Sequence, residues 1–457
     1  MRKFLAMSKT DETSEFDFSK AKASLDFDFD KTSYTRIGRV KRVVGLTVEA
    51  VGIVAPIGAQ CVIDPNSQGR SIQAEVVGFD GGLLFLMPFE NIEGVSPGSR
   101  VSILSKKSIG GFSWDLQGRV IDGLGQPIDG KGDLEYTQPV NLESDQVPAL
   151  ERQNITEALH TGVKAIDACF TFGKGQRMGL IAGSGVGKSV LLAMLTKNTQ
   201  ADIVVIALIG ERSREVKEFV TETLGEDGLL RAVIVAESVS SSPVKRIKGA
   251  KLAHTIAEKY RAQGKNVLLL VDSLTRVAHA QREIGLAIGE PPTTKGYPPS
   301  VFALLPTLIE RVGMGNSSEG SISAFYTVLA ENDDRSDPIV DISRATLDGQ
   351  IMLSRKLADA AHYPAIDLEG SISRVAEKIV APSQTRQARF IRRLWSLYNQ
   401  NEDLIQIGAY ESGSNIVLDT AIALKPKIDQ FLIQQNNEVF SYEDTLGLLE
   451  QLESESQ

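Results

Sequence analysis

Residues 177–189 read Arg177-Met-Gly-Leu-Ile-Ala-Gly-Ser-Gly-Val-Gly-Lys188-Ser189, an apolar strand running straight into a glycine-rich loop that ends in Lys-Ser. Gly183, Gly185 and Gly187 let the backbone curl with its N–H groups inward, a concavity that takes phosphate oxygens. The run that Ser189 opens reads as a helix whose N-terminal dipole faces the same anion. This is a P-loop, in which strand, loop and helix must follow in that order. The expected nucleotide-binding segment is Gly183, Ser184, Gly185, Val186, Gly187, Lys188, Ser189 and Val190. Lys188 reaches the β- and γ-phosphates of ATP, and the Ser189 hydroxyl is placed on Mg²⁺. Ala182 stands where the strict pattern has glycine. The later glycines make the tightest part of the turn.

The rest of the chain divides around this loop. Residues 1–33 are polar and acidic, with Phe16-Asp17-Phe18 and Asp26-Phe27-Asp28-Phe29-Asp30. Such a segment buries little, and reads either as a flexible tail or as an acidic-aromatic docking motif that orders on a partner. Residues 34–105 carry short β-rich runs at 39–44, 60–63, 74–78, 83–87 and 100–104, separated by glycines. That spacing predicts a small closed β-barrel. Its charges are nearly balanced, and it lacks the aromatic and basic stripe of an RNA-binding barrel.

From 106 to 381 a Gly/Asp-rich connector leads into strands at 178–182, 203–209, 232–236, 267–272, 323–330 and 350–353, alternating with helical patterns. The expectation is a doubly wound, mostly parallel sheet with its ligands at the carboxyl ends of the strands. Residues 382–457 read as helices over 384–399, 416–435 and 442–452, with Ser441 and Asp444 as a capping box for the last. Arg386, Arg389, Arg392 and Arg393 load one helix with positive charge, for a solvated or subunit-facing surface or for an anionic partner.

Composition narrows the class. Length suggests about three domains. A net charge of −9 argues against a dedicated nucleic-acid binder. The two cysteines, Cys61 and Cys169, have no paired spacing, and four histidines do not cluster, so neither a disulfide framework nor a zinc site is expected. The apolar runs are strand-length, far short of a membrane span. The N-terminus turns polar at once, so no signal peptide is expected and the compartment is cytoplasmic.

A P-loop binds nucleotide; hydrolysis also needs a second carboxylate for Mg²⁺, a group that activates water, and positive charge for the transition state. Asn266-Val-Leu-Leu-Leu-Val-Asp272 is an apolar strand closing on an acid, the Walker B form, and Asp272 is the candidate metal group. Ile203 to Gly210 is a second such strand, ending in Glu211 and Arg212. Glu211 is the candidate general base that polarises the attacking water. Arg212 either binds phosphate or braces Glu211.

Together with the P-loop, the runs 118–130, Gly210-Glu-Arg-Ser-Arg-Glu-Val216, Asp272-Ser-Leu-Thr-Arg276 and Gly289-Glu-Pro-Pro-Thr-Thr-Lys-Gly-Tyr-Pro-Pro-Ser-Val-Phe302 resemble the flagellar and type III secretion export ATPases. These are relatives of the catalytic subunit of rotary ATP synthases. The resemblance runs from about residue 35 to the C-terminus. It implies an N-terminal β-barrel, a RecA-like α/β core and a C-terminal helical domain, assembled as a homohexamer with ATP at the subunit interfaces. His362-Tyr-Pro-Ala-Ile-Asp367 matches the stretch whose tyrosine stacks on adenine, which gives Tyr363 that role. Ser371-Ile-Ser-Arg374-Val matches the segment of the arginine finger, so Arg374 is expected to reach the neighbouring subunit's γ-phosphate.

The runs 294–306 and 323–329 look closer to flagellar members than to virulence injectisomes. The resemblance implies a chain peripheral at the cytoplasmic face of the inner membrane. Its implied partners are a stator-like regulator, stalk proteins, an export gate and chaperone–substrate complexes. The first 30 residues do not match the amphipathic helix by which many members bind the regulator. Other readings fit less well. A rotary synthase β subunit carries an Asp-Glu-Leu-Ser-Glu-Glu-Asp lever that is missing here. A Rho-like RNA translocase conflicts with the balanced barrel, and a non-catalytic synthase-α-like chain with the carboxylate at Glu211.

Overall fold

The computed structural model describes residues 37–65, 70–104, 110–143, 147–330 and 337–455. The acidic segment 1–33 lies outside them.

Six strands come first: β1 (Ile37–Val44), β2 (Thr47–Val51), β3 (Gln60–Asp64), β4 (Ile72–Asp80), β5 (Leu83–Pro88) and β6 (Arg100–Ile103). They close into a barrel in the order β1-β2-β5-β4-β3-β6. The pattern of β4 explains the closure: Ile72, Ala74 and Val76 point inward while the residues between them are half-buried. One face of each strand therefore fills the barrel, and closure leaves no free edge. β2 went unmarked in the sequence, where the first β-rich run ends at Val44; Gly45-Leu46 folds it back on β1 as a tight hairpin.

The connector adds β7 (Gly111–Phe112), β8 (Val120–Ile121) and β9 (Gln138–Pro139); β7 pairs with β9, and β8 joins the edge of the central sheet. That sheet comprises β10 (Arg177–Ala182), β11 (Ile203–Glu211), β12 (Ala232–Ser238), β13 (Asn266–Asp272), β14 (Gly313–Met314), β15 (Ser321–Leu329), β16 (Gly349–Leu353) and β17 (Ile366–Ser373). Its order is β17-β16-β10-β15-β13-β11-β12-β8, with β14 paired to β15. All pairs are parallel except β14 with β15 and β17 with β16.

β11 shows why the sheet lies inside. Val204, Ile206 and Leu208 pack into one core with the helix Lys188–Asn198, while Val205, Ala207 and Ile209 pack into a second with the helices Pro243–Arg261 and Leu274–Ala287. Both faces are covered, so the strand is continuously apolar. β17 was not foreseen. It carries Asp367, Glu369, Gly370 and Ser371, the composition of an exposed edge strand rather than a buried one.

The last helices run Pro382–Gln406, Ile416–Leu432 and Tyr442–Ser454, and Ser441 with Asp444 forms the capping box. They dock on the short helix Lys164–Cys169 through polar bonds, among them Gln384 Nε2 to the Asp167 carbonyl at 3.0 Å and Gln434 Oε1 to the Lys164 N–H at 2.9 Å. Much of the arginine stripe is spent internally. Arg386 pairs with Glu453 and Arg389 with Glu377, while Arg392 lies over the Phe170 ring and donates to the Ser371 carbonyl. Arg393 remains exposed.

Candidate active site

β10, β11, β13 and β15 point their carboxyl ends at one place, where a cavity of about 880 Å³ opens. Its walls include Gly183, Ser184, Gly185, Gly187, Lys188, Ser189 and Val190 from the P-loop, Glu211 and Arg212 from the end of β11, and Arg276 after β13. Val186 belongs to the loop by its backbone, since its side chain is buried beneath.

The loop depends on glycine at two positions. Gly185 and Gly187 have φ of +77° and +88°, where any side chain is strained. At Gly187 a Cβ would also sit 3.3 Å from the Tyr363 ring, so the adenine candidate packs directly against the phosphate loop. That ring is 42% exposed at the surface, available to stack on a flat partner.

At the cavity floor three charges meet. Lys188 Nζ donates to Asp272 Oδ1 at 2.6 Å and lies 3.5 Å from Glu211 Oε1. Asp272 also accepts from Thr327 Oγ1 at 2.7 Å. The helix Leu274–Ala287 is capped by the Ser273 hydroxyl, which bonds the Arg276 N–H, so Asp272 is not used as a cap. Burial works against the Lys188 charge, yet Asp272 and Glu211 outweigh it and raise the pKa. Glu211 is pushed up by burial and by the Asp272 charge, with Lys188 opposing. Its Oε1 is buried without a hydrogen-bond partner. Lys188 and Arg276 oppose the two carboxylates, but burial and the Asp272 charge prevail at Glu211 and favour an incoming proton there.

Other expected residues fall at different places. The Arg212 side chain is 76% exposed and its guanidinium pairs with Glu215 at 3.3 Å, not with Glu211. Arg374 follows β17 and donates to the Arg344 carbonyl at 3.2 Å. Because β17 runs antiparallel to β16, Ser373 is level with Gly349, and Gly179 of β10 is level with Gln350. Arg374 therefore lies level with the start of β10, roughly 20 Å along the sheet from its own P-loop. One side chain does not bridge that distance.

Four residues of the site escaped the sequence reading. Thr327 sits mid-strand, where a threonine signals only β-propensity. Thr275 receives the Leu329 N–H at 2.9 Å, and Arg276 lays its stem against Gly210, where a Cβ would meet the Arg276 Cβ at 2.8 Å. Arg355 donates to the Ser184 carbonyl at 2.9 Å. Thr275 and Arg276 carried a signal, as parts of the 272–276 run.

Three family models match: the ATP synthase alpha/beta family beta-barrel domain over 40–104, the nucleotide-binding domain of that family over 162–373, and the T3SS EscN ATPase C-terminal domain over 380–451. The flagellum-specific ATP synthases of Pseudomonas aeruginosa and Salmonella typhimurium are each 49% identical, over 91% of this chain and 92% and 93% of theirs. The type 3 secretion system ATPase of Xanthomonas euvesicatoria is 46% identical over 91% of this chain and 93% of its own. Among solved structures, the assembled ATPase EscN of the enteropathogenic E. coli type III secretion system superposes with a TM-score of 0.83 at 40% identity, over 91% of this chain and 99% of that one. EscN is also solved with its central stalk EscO, at a TM-score of 0.80, with the same identity and coverage.

Proposed function

This chain belongs to the flagellar and type III secretion export ATPases, a branch of the ATP synthase alpha/beta family, and on that premise we propose how its residues divide the work of ATP hydrolysis. The family membership makes it an ATPase of protein export. Two flagellum-specific relatives, at 49% identity, stand above the Xanthomonas enzyme at 46%, while five others at 45–46% stand level with it or just below, so identity favours the flagellar branch by a narrow margin.

The observation that carries the assignment is Lys188 Nζ, held between Asp272 and Glu211 at the mouth of the P-loop. ATP phosphates entering the loop compete for that ammonium through its N–H cradle and draw Lys188 onto the β- and γ-oxygens. The two carboxylates then lose their shared counter-charge. The oxygen donors Ser189 and Asp272 fit Mg²⁺, a hard cation that takes oxygen ligands and keeps several waters. When bound, it neutralises charge on the β- and γ-phosphates. Glu211, with an oxygen left unbonded, accepts a proton from water as the water oxygen attacks the γ-phosphorus. The bond to the β–γ bridging oxygen breaks, and ADP and phosphate leave. Tyr363 stacks on the adenine, and Arg212 swings from Glu215 to a phosphate.

Arg374 serves a neighbouring copy, because its own P-loop lies a strand's length away. That requires a ring of copies with sites at their interfaces, consistent with the assembled state of EscN. The units would be a barrel over 34–105, the connector and ATPase core over 106–381, and a helical domain over 382–457. A stalk protein would bind such a ring; assembled EscN is solved in complex with its central stalk EscO. No helix among the described residues is long and apolar enough to cross a membrane. Export gate, regulator and chaperone–substrate complexes would then be met from the membrane's cytoplasmic face.

Mixed assembly tests the scheme. Arg374→Ala and Lys188→Ala are each expected to be inactive alone. Mixed, they form some interfaces with an intact P-loop facing an intact Arg374, and a measurable share of ATPase activity returns. No recovery in rings verified as mixed overturns the intersubunit role.

A further inference from the structure

Arg355 stands at the carboxyl end of β16, as the first residue of the short helix Arg355–Asp359. It lines both the phosphate cavity and an adjoining cavity of about 260 Å³. Its guanidinium donates to the Ser184 carbonyl at 2.9 Å, across 171 positions of sequence.

We propose that Arg355 is a positioning residue for the phosphate loop, fixing the orientation of the Ser184–Gly185 peptide so that its N–H faces the nucleotide. The reason lies in peptide geometry. A trans peptide is planar, with its C=O and N–H pointing in opposite directions. The Ser184–Gly185 bond is trans, since the cis bonds lie elsewhere, at Asp272–Ser273 and Tyr363–Pro364. Anchoring the Ser184 oxygen on Arg355 therefore aims the Gly185 N–H the opposite way. Gly185 needs this anchor more than its neighbours do. Its φ of +77° belongs to the most permissive residue, and the space where a Cβ would stand is open, with nothing within 4 Å. Val186 next along is pinned by its buried side chain. Without Arg355 the plane is free to rotate, and the loop must order itself when phosphate arrives.

A hydrogen bond to a charged group at an exposed site, with water able to replace it, corresponds to about tenfold in affinity. The inference rests on nucleotide occupying the Lys188 cavity, and the control separates the two. Full-length protein is titrated with a fluorescent ADP analogue and with ATP in competition, and steady-state turnover is measured. Arg355→Ala is expected to weaken ADP and ATP alike by about tenfold, to raise KM more than it lowers kcat, and to leave the melting temperature unchanged. Arg355→Lys recovers part of the affinity. Unchanged affinity, a loss confined to ATP, or a fall in kcat at constant KM each overturns the proposal. A loss confined to ATP would mean direct contact with the γ-phosphate. Lys188→Ala must lose nucleotide in the same assay; if it binds normally, it is the assignment of the cavity that fails.

Discussion

Asp167, under the C-terminal helices, is a fully buried carboxylate, Glu211, on the wall of the catalytic cavity, a partly buried one, and their surroundings differ in a telling way. Asp167 accepts from the Thr161 N–H at 2.9 Å, the Thr161 hydroxyl at 2.8 Å and the Gly162 N–H at 2.9 Å. Glu211 has one oxygen with no hydrogen-bond partner and a lysine at 3.5 Å that is bonded elsewhere. Burial raises both pKa values; for Asp167 the three donors resist the rise, and it reaches about 6. A saturated carboxylate holds structure. One left with a bare oxygen, beside a displaceable cation, is available for chemistry.

The contrast breaks most sharply at Glu211. Glu211→Gln keeps the shape and removes the base, so kcat is expected to fall by roughly 10²–10⁴ while ATP still binds and the melting temperature holds. Normal turnover would remove Glu211 from the mechanism. Asp167→Ala should do the reverse. It orphans two buried N–H groups at the root of the C-terminal helices and costs about 3 kcal/mol of stability in denaturant titrations, with kcat of the folded protein little changed.

Titration separates the two further. The native pKa of Asp167 near 6 exceeds the unfolded value, so its native-state preference for the proton is fully expressed below pH 4 and lost as pH rises to about 6. Wild type should lose stability relative to the non-titrating Asp167→Asn across that window, by about 3 kcal/mol at most. Glu211 instead governs turnover: once protonated it accepts nothing, so kcat/KM should fall on acidification above the ordinary glutamate range. The smallest effect belongs to the support of the site. Thr327→Val removes one hydrogen bond from Asp272 and is expected to lower kcat/KM by about tenfold or less. A larger loss would mean that Asp272 is positioned chiefly from β15.

Legibility followed the range of the interactions. The P-loop could be read because its demands are local: positive φ at Gly185 and Gly187, then a helix N-terminus, all within a dozen residues. Glu211 and Asp272 were marked by long apolar strands, since both faces of the sheet are covered. Barrel strands announced themselves as β-rich runs between glycines, although β2 at Thr47–Val51 went unmarked. Arg374 and Tyr363 carried no such local mark and entered through resemblance alone.

Sequence alone determined most of the longer elements, the phosphate loop and the identity of the charges that strand ends would carry, because backbone conformation and burial periodicity are properties of neighbouring residues. The tertiary structure decided how those charges are shared. The sheet order sets Lys188 between Asp272 and Glu211, brings Thr327 to Asp272 from β15 and Arg355 to the phosphate loop from the end of β16, and runs β17 so that Arg374 lies at the far end of the sheet from its own loop. Such pairings join positions 23 to 171 residues apart, and only the folded sheet brings them within hydrogen-bond or ion-pair reach.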